Sequence, residues 1–467
     1  MRTIPVFAAS LLIAAPLAAQ TTTDPFPAAI EQTQGVIPVN FREFAAIPDL
    51  DGTPARIMTL FTERGTERIF VSDMRGPIYS VSYDGAPVAQ YVNVNDPQWG
   101  VGVQSQGRER GIQSITFHPQ FAQAGTPGYG KFYTWTDTDN VEPEADFLPA
   151  EGESHHTVLL EWTARNPRAP TYDGSAPREL ARFQQPFSNH NGGHIAFNPY
   201  AAPGEPDFGL LYIGVADGGS GGDPQNMAQN LASGFGKLFR IDPLGDNSAN
   251  GEYGIPADNP FAGDNNPNTL GEIYAYGIRN PQRFGWDPET GTMYLTDIGQ
   301  NIVEKITTVP KGANLGWNTW EGSFRFVNRE GVITANSRSD SNVVYPVAEY
   351  DQTDPIIQNQ AAATGLLIYR DGPIVALRDK VLWGDSPSGE IFHFDANNPP
   401  MGGSGPVRRV LLNDGGTSKT FLQVIQEKNR AQGRDPANRT DMRLNAGPDN
   451  RVFLTNKSDG VIRELVP

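Results

Sequence analysis

The sequence predicts an all-β protein, a six-bladed β-propeller of four-stranded antiparallel blades with long loops on one face. Three observations lead there. Six segments share a pattern of short apolar strand, polar turn and second strand. An aromatic or small residue before a Pro or Asp turn precedes several of them. Gly and Pro, 50 and 39 of 467 residues, exceed the usual shares of about 7% and 5%. Turn residues in excess cut a chain into many short elements, and helical periodicity is weak throughout.

The first segment, Arg68 to Asp73, turns through Gly76 into Pro77-Ile78-Tyr79. Lys131 to Trp135, Leu211 to Asp217 and Met293 to Asp297 follow. Val381 to Asp385 leads through Gly389 to Glu390-Ile391-Phe392, and Val452 to Asn456 leads through Gly460 to Val461-Ile462-Arg463. The phrases Phe117-His118-Pro119, Phe197-Asn198-Pro199, Trp286-Asp287-Pro288 and Ala446-Gly447-Pro448-Asp449 punctuate them. Strand, turn and strand make a hairpin meander. Repeated radially, that meander gives a propeller with only short, protected edges. A two-domain β-sandwich is the alternative with equally many short strands. The repeat interval exceeds the roughly 40–50 residues of compact blades, which leaves long loops between strands. One short helix is expected over 421–430 and a loop over 430–439.

Arg2 precedes an apolar run from Val6 to Ala19 that ends in small residues. The run is short of the roughly 20 residues a span needs and has the layout of a secretory signal peptide. The expected organisation is therefore a signal peptide at 1–19, an N-terminal extension at 20–45 and the propeller at 46–467, in a periplasmic or secreted protein. No later stretch is apolar enough to span a bilayer. The chain has no cysteine, so disulfides, thiolate nucleophiles and Cys-ligated metals are excluded. Hydrophobic residues at 38% suffice for a core, and the net charge of −17, without a Lys/Arg run, argues against nucleic acid as a partner.

The chemistry concentrates between Ser188 and Gly322. Ser188-Asn189-His190-Asn191-Gly192-Gly193-His194 places His190 among small polar residues just before a strand. Asp217 ends the adjoining strand of the same hairpin. A carboxylate on one imidazole nitrogen leaves the other free as a general base. Arg279, in Gly277-Ile278-Arg279-Asn280-Pro281, is a forked, permanently charged donor suited to a carboxylate or a developing oxyanion. Each residue also has a plainer reading. A His beside Gly often serves a turn, Arg-Asn-Pro can be a turn tied by its Arg, and His194 within a strand is structural. The Gly-rich run after Asp217 lacks the Lys-Ser/Thr ending of a phosphate loop. Acidic turns at 137–140, 242–246 and 258–264 are candidate calcium loops, though such turns are usually just solvated. Trp317, Trp320 and Trp383 suit either a sugar face or the blade cores.

Together with Asp297-Ile298-Gly299-Gln300-Asn301, Asn314-Leu315-Gly316-Trp317 and Glu321-Gly322, these segments resemble the soluble pyrroloquinoline-quinone (PQQ) dependent sugar dehydrogenases. This is the glucose/sorbosone dehydrogenase family of six-bladed propellers, here in its aldose-dehydrogenase and hedgehog-interacting-protein branch. The resemblance runs from about Arg56 to the C-terminus. It implies a dehydrogenase dependent on PQQ and calcium that oxidises an aldose or related alcohol at C1. His190 would be the base, Asp217 its orienting carboxylate and Arg279 the stabiliser of charge on the quinone. Asn280 would lie beside the quinone oxygens, and the backbone carbonyls of Gly299 and Gln300 would hold calcium. Glu109 would line the pocket where glucose-oxidising members carry Gln.

PQQ carries three carboxylates and needs basic partners. The family's Lys is missing from Asp385-Ser386-Pro387-Ser388-Gly389, and Arg439 and Arg443 stand out of register with its paired arginines. They are the expected substitutes, with Lys237 and Arg370 in reserve. The implied partners are a small sugar or alcohol and a separate electron acceptor. Two other functions compete: a non-catalytic propeller that binds a glycan or protein, and a calcium-dependent hydrolase or lactonase.

Overall fold

The structure is a computed structural model that describes residues 20–328, 331–357 and 360–467. The signal peptide expected at 1–19 lies outside these residues. Alternating apolar residues drive the chain into four-stranded antiparallel sheets, each strand paired with its neighbour in sequence. Ile57–Glu63, Arg68–Asp73, Pro77–Ser82 and Val88–Asn93 form the first. Ile112–Phe117, Lys131–Thr138, His155–Thr163 and Arg178–Gln185 form the next, and Ile195–Phe197, Leu211–Val215, Lys237–Ile241 and Ile273–Tyr276 the one after. Pro281–Trp286, Met293–Asp297 and Val303–Thr308 are completed by Ala348–Asp351. The expected strand–turn–strand segments are thus strands, and the all-β expectation holds.

The last sheets are joined through the N-terminal part of the chain. Ala363–Tyr369, Lys380–Asp385, Ile391–Asp395 and Arg408–Asp414 run in order. Ile37–Ala46 pairs parallel to Arg408–Asp414 and antiparallel to Val461–Val466, which continues through Val452–Thr455 to Arg443–Ala446. Ile37–Ala46, expected in the N-terminal extension, therefore seals the C-terminal sheet. Neighbouring sheets also touch through their inner strands, Leu211–Val215 meeting Pro281–Trp286, and Arg443–Ala446 packs against Ile57–Glu63. That contact closes a β-propeller around an axis.

Aromatic layers between the sheets hold the ring. Phe117 packs on Phe61 and Phe70 of the preceding sheet with ring centroids 5.2 and 4.3 Å apart. Trp162 and Trp383 are fully buried, each able to remove 150–250 Å² from water. The expected helix forms at Phe421–Ala431. Thr420 and Gln423 cap it reciprocally, and Phe421, Val424 and Ile425 face the last sheet. After it, residues 432–442 carry no helix or strand. A small sheet of Thr21–Thr22, Val332–Ile333, Phe324–Phe326 and Trp320–Glu321 shares no strand with the ring sheets and packs Phe324 and Val332 on Ile302 and Val303. No helix among the described residues is long and apolar enough to cross a membrane.

Candidate active site

The first residues of the innermost strands, and the loops that enter them, line a cavity of about 380 Å³ on the propeller axis. His190 reaches it and Asp217 backs His190 from one hairpin, because Ile195–Phe197 pairs with Leu211–Val215 and both residues lie just beyond the same end of that pair. His190 has φ 58°, a left-handed conformation uncommon for a non-glycine residue. Its main-chain N–H donates to Glu109 Oε2 at 2.8 Å, which fixes the turn.

The His190 Nδ1 lies 2.6 Å from Asp217 Oδ1. Trp317 Nε1 donates to Asp217 Oδ2 at 2.8 Å, and the Gly219 N–H to Oδ1 at 3.0 Å. Burial pushes the Asp217 carboxyl up, but His190 and the Arg279 guanidinium more than offset this and hold it below the usual carboxylate range. An ionised Asp217 is acceptor-only, so in the neutral ring the proton resides on Nδ1 and the Nε2 lone pair of His190 is free.

Arg279 and Asn280 are anchored from beneath. Their main-chain N–H groups donate to Asp297 Oδ1 at 3.2 and 2.7 Å, and Lys305 pairs with Asp297 Oδ2 at 3.0 Å. The Arg279 side chain donates to Ile298 O at 3.1 Å and to Gln300 Oε1 at 3.1 Å, and it packs over Trp317. The loop that carries Gly299 and Gln300 closes on Glu321, whose Oε1 accepts from the N–H groups of Gln300, Ile302 and Val303 at 2.6, 3.2 and 3.1 Å. Among the described residues, the carbonyl oxygens of Gly299 and Gln300 accept no hydrogen bond.

The basic side of the cavity comes from elsewhere. Arg108, Arg279, Arg439, Arg443 and Lys457 line it, against the carboxylates Glu109 and Asp441. A net positive chamber in a chain of charge −17 is a local device for an anion. Arg443 donates to Gln282 Oε1 at 2.8 Å, while its buried Nε has no partner among the described residues. Arg439 pairs with Asp441 at 2.5 Å. The N–H groups of Thr440 and Asp441 donate to Ser386 O at 3.0 and 3.1 Å, which ties this segment to the Asp385–Gly389 loop. Lys457 Nζ donates to Arg108 O at 2.8 Å. Burial pushes Lys457 down to about 7 against the pull of Asp441, with Arg443, Arg56 and Arg439 adding to the push.

His190, Arg279, Asn280, Glu109, Arg439, Arg443 and Gly299 all line the cavity, and Asp217 and Gln300 stand directly behind. The reserve cations do not reach it. Lys237 is buried and donates to the carbonyls of Met227, Ala228 and Phe235. Arg370 is held by Asp287 at 2.7 Å. Sequence reasoning missed Arg108 and Lys457, and it named Asp297 within a motif without giving it a role. Lys457 had a signal: it follows the strand Val452–Thr455 at the place where Asp217 follows Leu211–Val215. Trp317, Trp320 and Trp383 are buried and do not line the cavity. Of the acidic turns, Asp137 is buried against Thr157 and His155, and Asp258 pairs with Arg240.

The glucose/sorbosone dehydrogenase family model matches residues 56–401. HIPL1 protein of Arabidopsis thaliana is 29% identical over 307 residues, 59% of this chain and 43% of that protein. Aldose sugar dehydrogenase YliI of Escherichia coli is 30% identical over 285 residues, 60% of each chain. The matches therefore span roughly half the length of these relatives. The PQQ-bound aldose sugar dehydrogenase of Streptomyces coelicolor superposes with a TM-score of 0.55 at 19% identity, over 91% of this chain and 96% of that one. That likeness establishes the shared fold.

Proposed function

The chain belongs to the glucose/sorbosone dehydrogenase family, and on that premise we propose that it is an exported, PQQ- and calcium-dependent dehydrogenase on a six-bladed propeller. Its substrate is an aldose or related alcohol, oxidised at C1. The observation that carries this reading is the 2.6 Å contact between His190 Nδ1 and Asp217 Oδ1 at the edge of a cavity ringed by cations.

The residues present fit the cofactors. A tricarboxylate requires several cations. Arg443 with its unpartnered Nε, Arg439, Lys457 and Arg108 supply them, although the family's Lys is absent. Calcium takes oxygen ligands, carbonyls among them, and those of Gly299 and Gln300 are without donors among the described residues. When bound, PQQ supplies a two-electron acceptor for the C1 hydride and calcium a Lewis acid beside it.

The chain's own part is proton transfer and positioning. His190 Nε2 takes the proton of the C1 hydroxyl, and Asp217 stabilises the imidazolium that results. Arg279, fixed by Asp297, Ile298 and Gln300, presents positive charge where negative charge accumulates. Glu109 holds the backbone of the base rather than its ring. An aldose panel with an artificial electron acceptor tests the reading: turnover should require both PQQ and calcium. A loaded protein that turns over no aldose or alcohol would overturn it in favour of a binding propeller.

A further inference from the structure

The innermost strands line two chambers on one axis. Their first residues surround the cavity described above. Their later residues, among them Thr59–Glu63, Ile115–Phe117, Arg283–Trp286 and Leu366–Ile368, surround a second cavity of about 620 Å³ at the opposite mouth. This volume is within the range of small-molecule sites, and the chemistry proposed for the upper cavity makes no use of it. Its walls are mainly apolar, with half-buried Phe61 and Leu367 beside the more deeply buried Phe117 and Phe284. Exposed Arg64 and Tyr200 stand at its rim.

One group on these walls lacks its usual company. Arg283 is 4% exposed, with Nη1 donating to Gln282 O at 2.9 Å and Nη2 to Met58 O at 2.7 Å. No carboxylate among the described residues forms an ion pair with it, and its one charged neighbour is another cation, Arg443. Arg463 is paired with Asp459 at 2.7 Å and Arg370 with Asp287 at 2.7 Å, whereas the buried guanidiniums without an ion pair among the described residues, Arg279 and Arg443, line the upper cavity. A buried charge without a counter-ion is costly. Beside it His194 lines the same cavity, its Nδ1 3.2 Å from Ser114 Oγ and its ring edge-on to Phe284.

We propose that this lower chamber is a second binding site, for an organic monoanion with a flat apolar body. Arg283 and His194 hold the carboxylate, and the phenylalanine-rich wall covers the body. The guanidinium fork matches a carboxylate, and the aromatic walls favour a planar ligand over a sugar. The site is independent of the chemistry in the upper cavity.

Isothermal titration calorimetry of the full chain with 2-naphthoate tests this. Saturable binding is expected, at least tenfold tighter than for the neutral isostere 2-naphthamide. Arg283→Met should weaken it at least tenfold. So should Gly285→Leu, because a Cβ at Gly285 meets only Ile368 at 3.7 Å and the longer side chain would fill the chamber. Lys457→Met, in the upper cavity, should leave it unchanged. If Arg283→Met does not fold, the amide comparison and Gly285→Leu decide the matter. Absence of saturable heat would overturn the proposal. So would binding that ignores Gly285→Leu but is lost in Lys457→Met, which would place the probe in the upper cavity.

Discussion

His190 Nδ1 and Asp217 Oδ1 stand 2.6 Å apart, with the carboxylate steadied from its other side by Trp317. The pair fixes the tautomer in which Nε2 is free. Asp217→Asn preserves shape but presents an amide that no longer demands the Nδ1 proton. Turnover should fall about 10⁴-fold, of the order seen when an orienting carboxylate is lost, with an unaltered circular dichroism spectrum. Kinetics within a fewfold of the parent would remove Asp217 from the mechanism.

Lys457 brings pH dependence to the cavity. In the free protein it loses its proton near pH 7. A bound carboxylate favours the charged form, so above pH 7 binding must take up a proton. PQQ affinity should therefore be highest at pH 6 and decline towards pH 9. Lys457→Met should lower affinity at pH 6 and flatten the profile. Equilibrium titrations at several pH values check this, and a pH-independent affinity in the parent chain would contradict it.

Glu321 organises the loop beneath Arg279 by accepting three main-chain N–H groups with one carboxylate oxygen. Glu321→Ala leaves those donors buried without partners and should cost about 2–4 kcal/mol of stability. Urea unfolding measures the loss. Calcium affinity should fall with it, since the same loop carries Gly299 and Gln300.

Gly193 packs where no side chain fits, because a Cβ there would lie 1.8 Å from the Gly214 carbonyl oxygen. Gly193→Ala must push the His190 loop off the strand Leu211–Val215. We expect at least about 2 kcal/mol of destabilisation and lost turnover, read by calorimetry and steady-state kinetics. A fully active, equally stable variant would show that the hairpin does not set the position of the base.

The strands Arg68–Asp73 and Met293–Asp297 were legible to the residue, because Ile, Val, Leu and Tyr in short runs between turns leave little choice of element. Ile37–Ala46 alternates just as clearly, but its partners are Arg408–Asp414 and Val461–Val466. Local pattern does not encode pairing between the two ends of a chain. The same divide runs through the site. His190 and Asp217 share a hairpin, so their meeting could be read from neighbouring residues. Trp317, Asp297 and Lys457 arrive on other sheets and loops, and only the closed ring brings them together. Lys237 and Arg370 looked available as cations in the sequence, yet folding commits each to partners away from the cavity.

The central claim is that His190 takes the substrate proton in a two-electron oxidation. The direct test loads calcium-bound protein with PQQ, excludes oxygen and any external acceptor, and follows the quinone absorbance after an aldose is added. The account predicts a single-turnover bleach that is at least about 10²-fold slower in His190→Ala, while PQQ binding by that variant is retained. An equally fast bleach in His190→Ala, or a parent chain that binds PQQ but no sugar or alcohol bleaches, would contradict it.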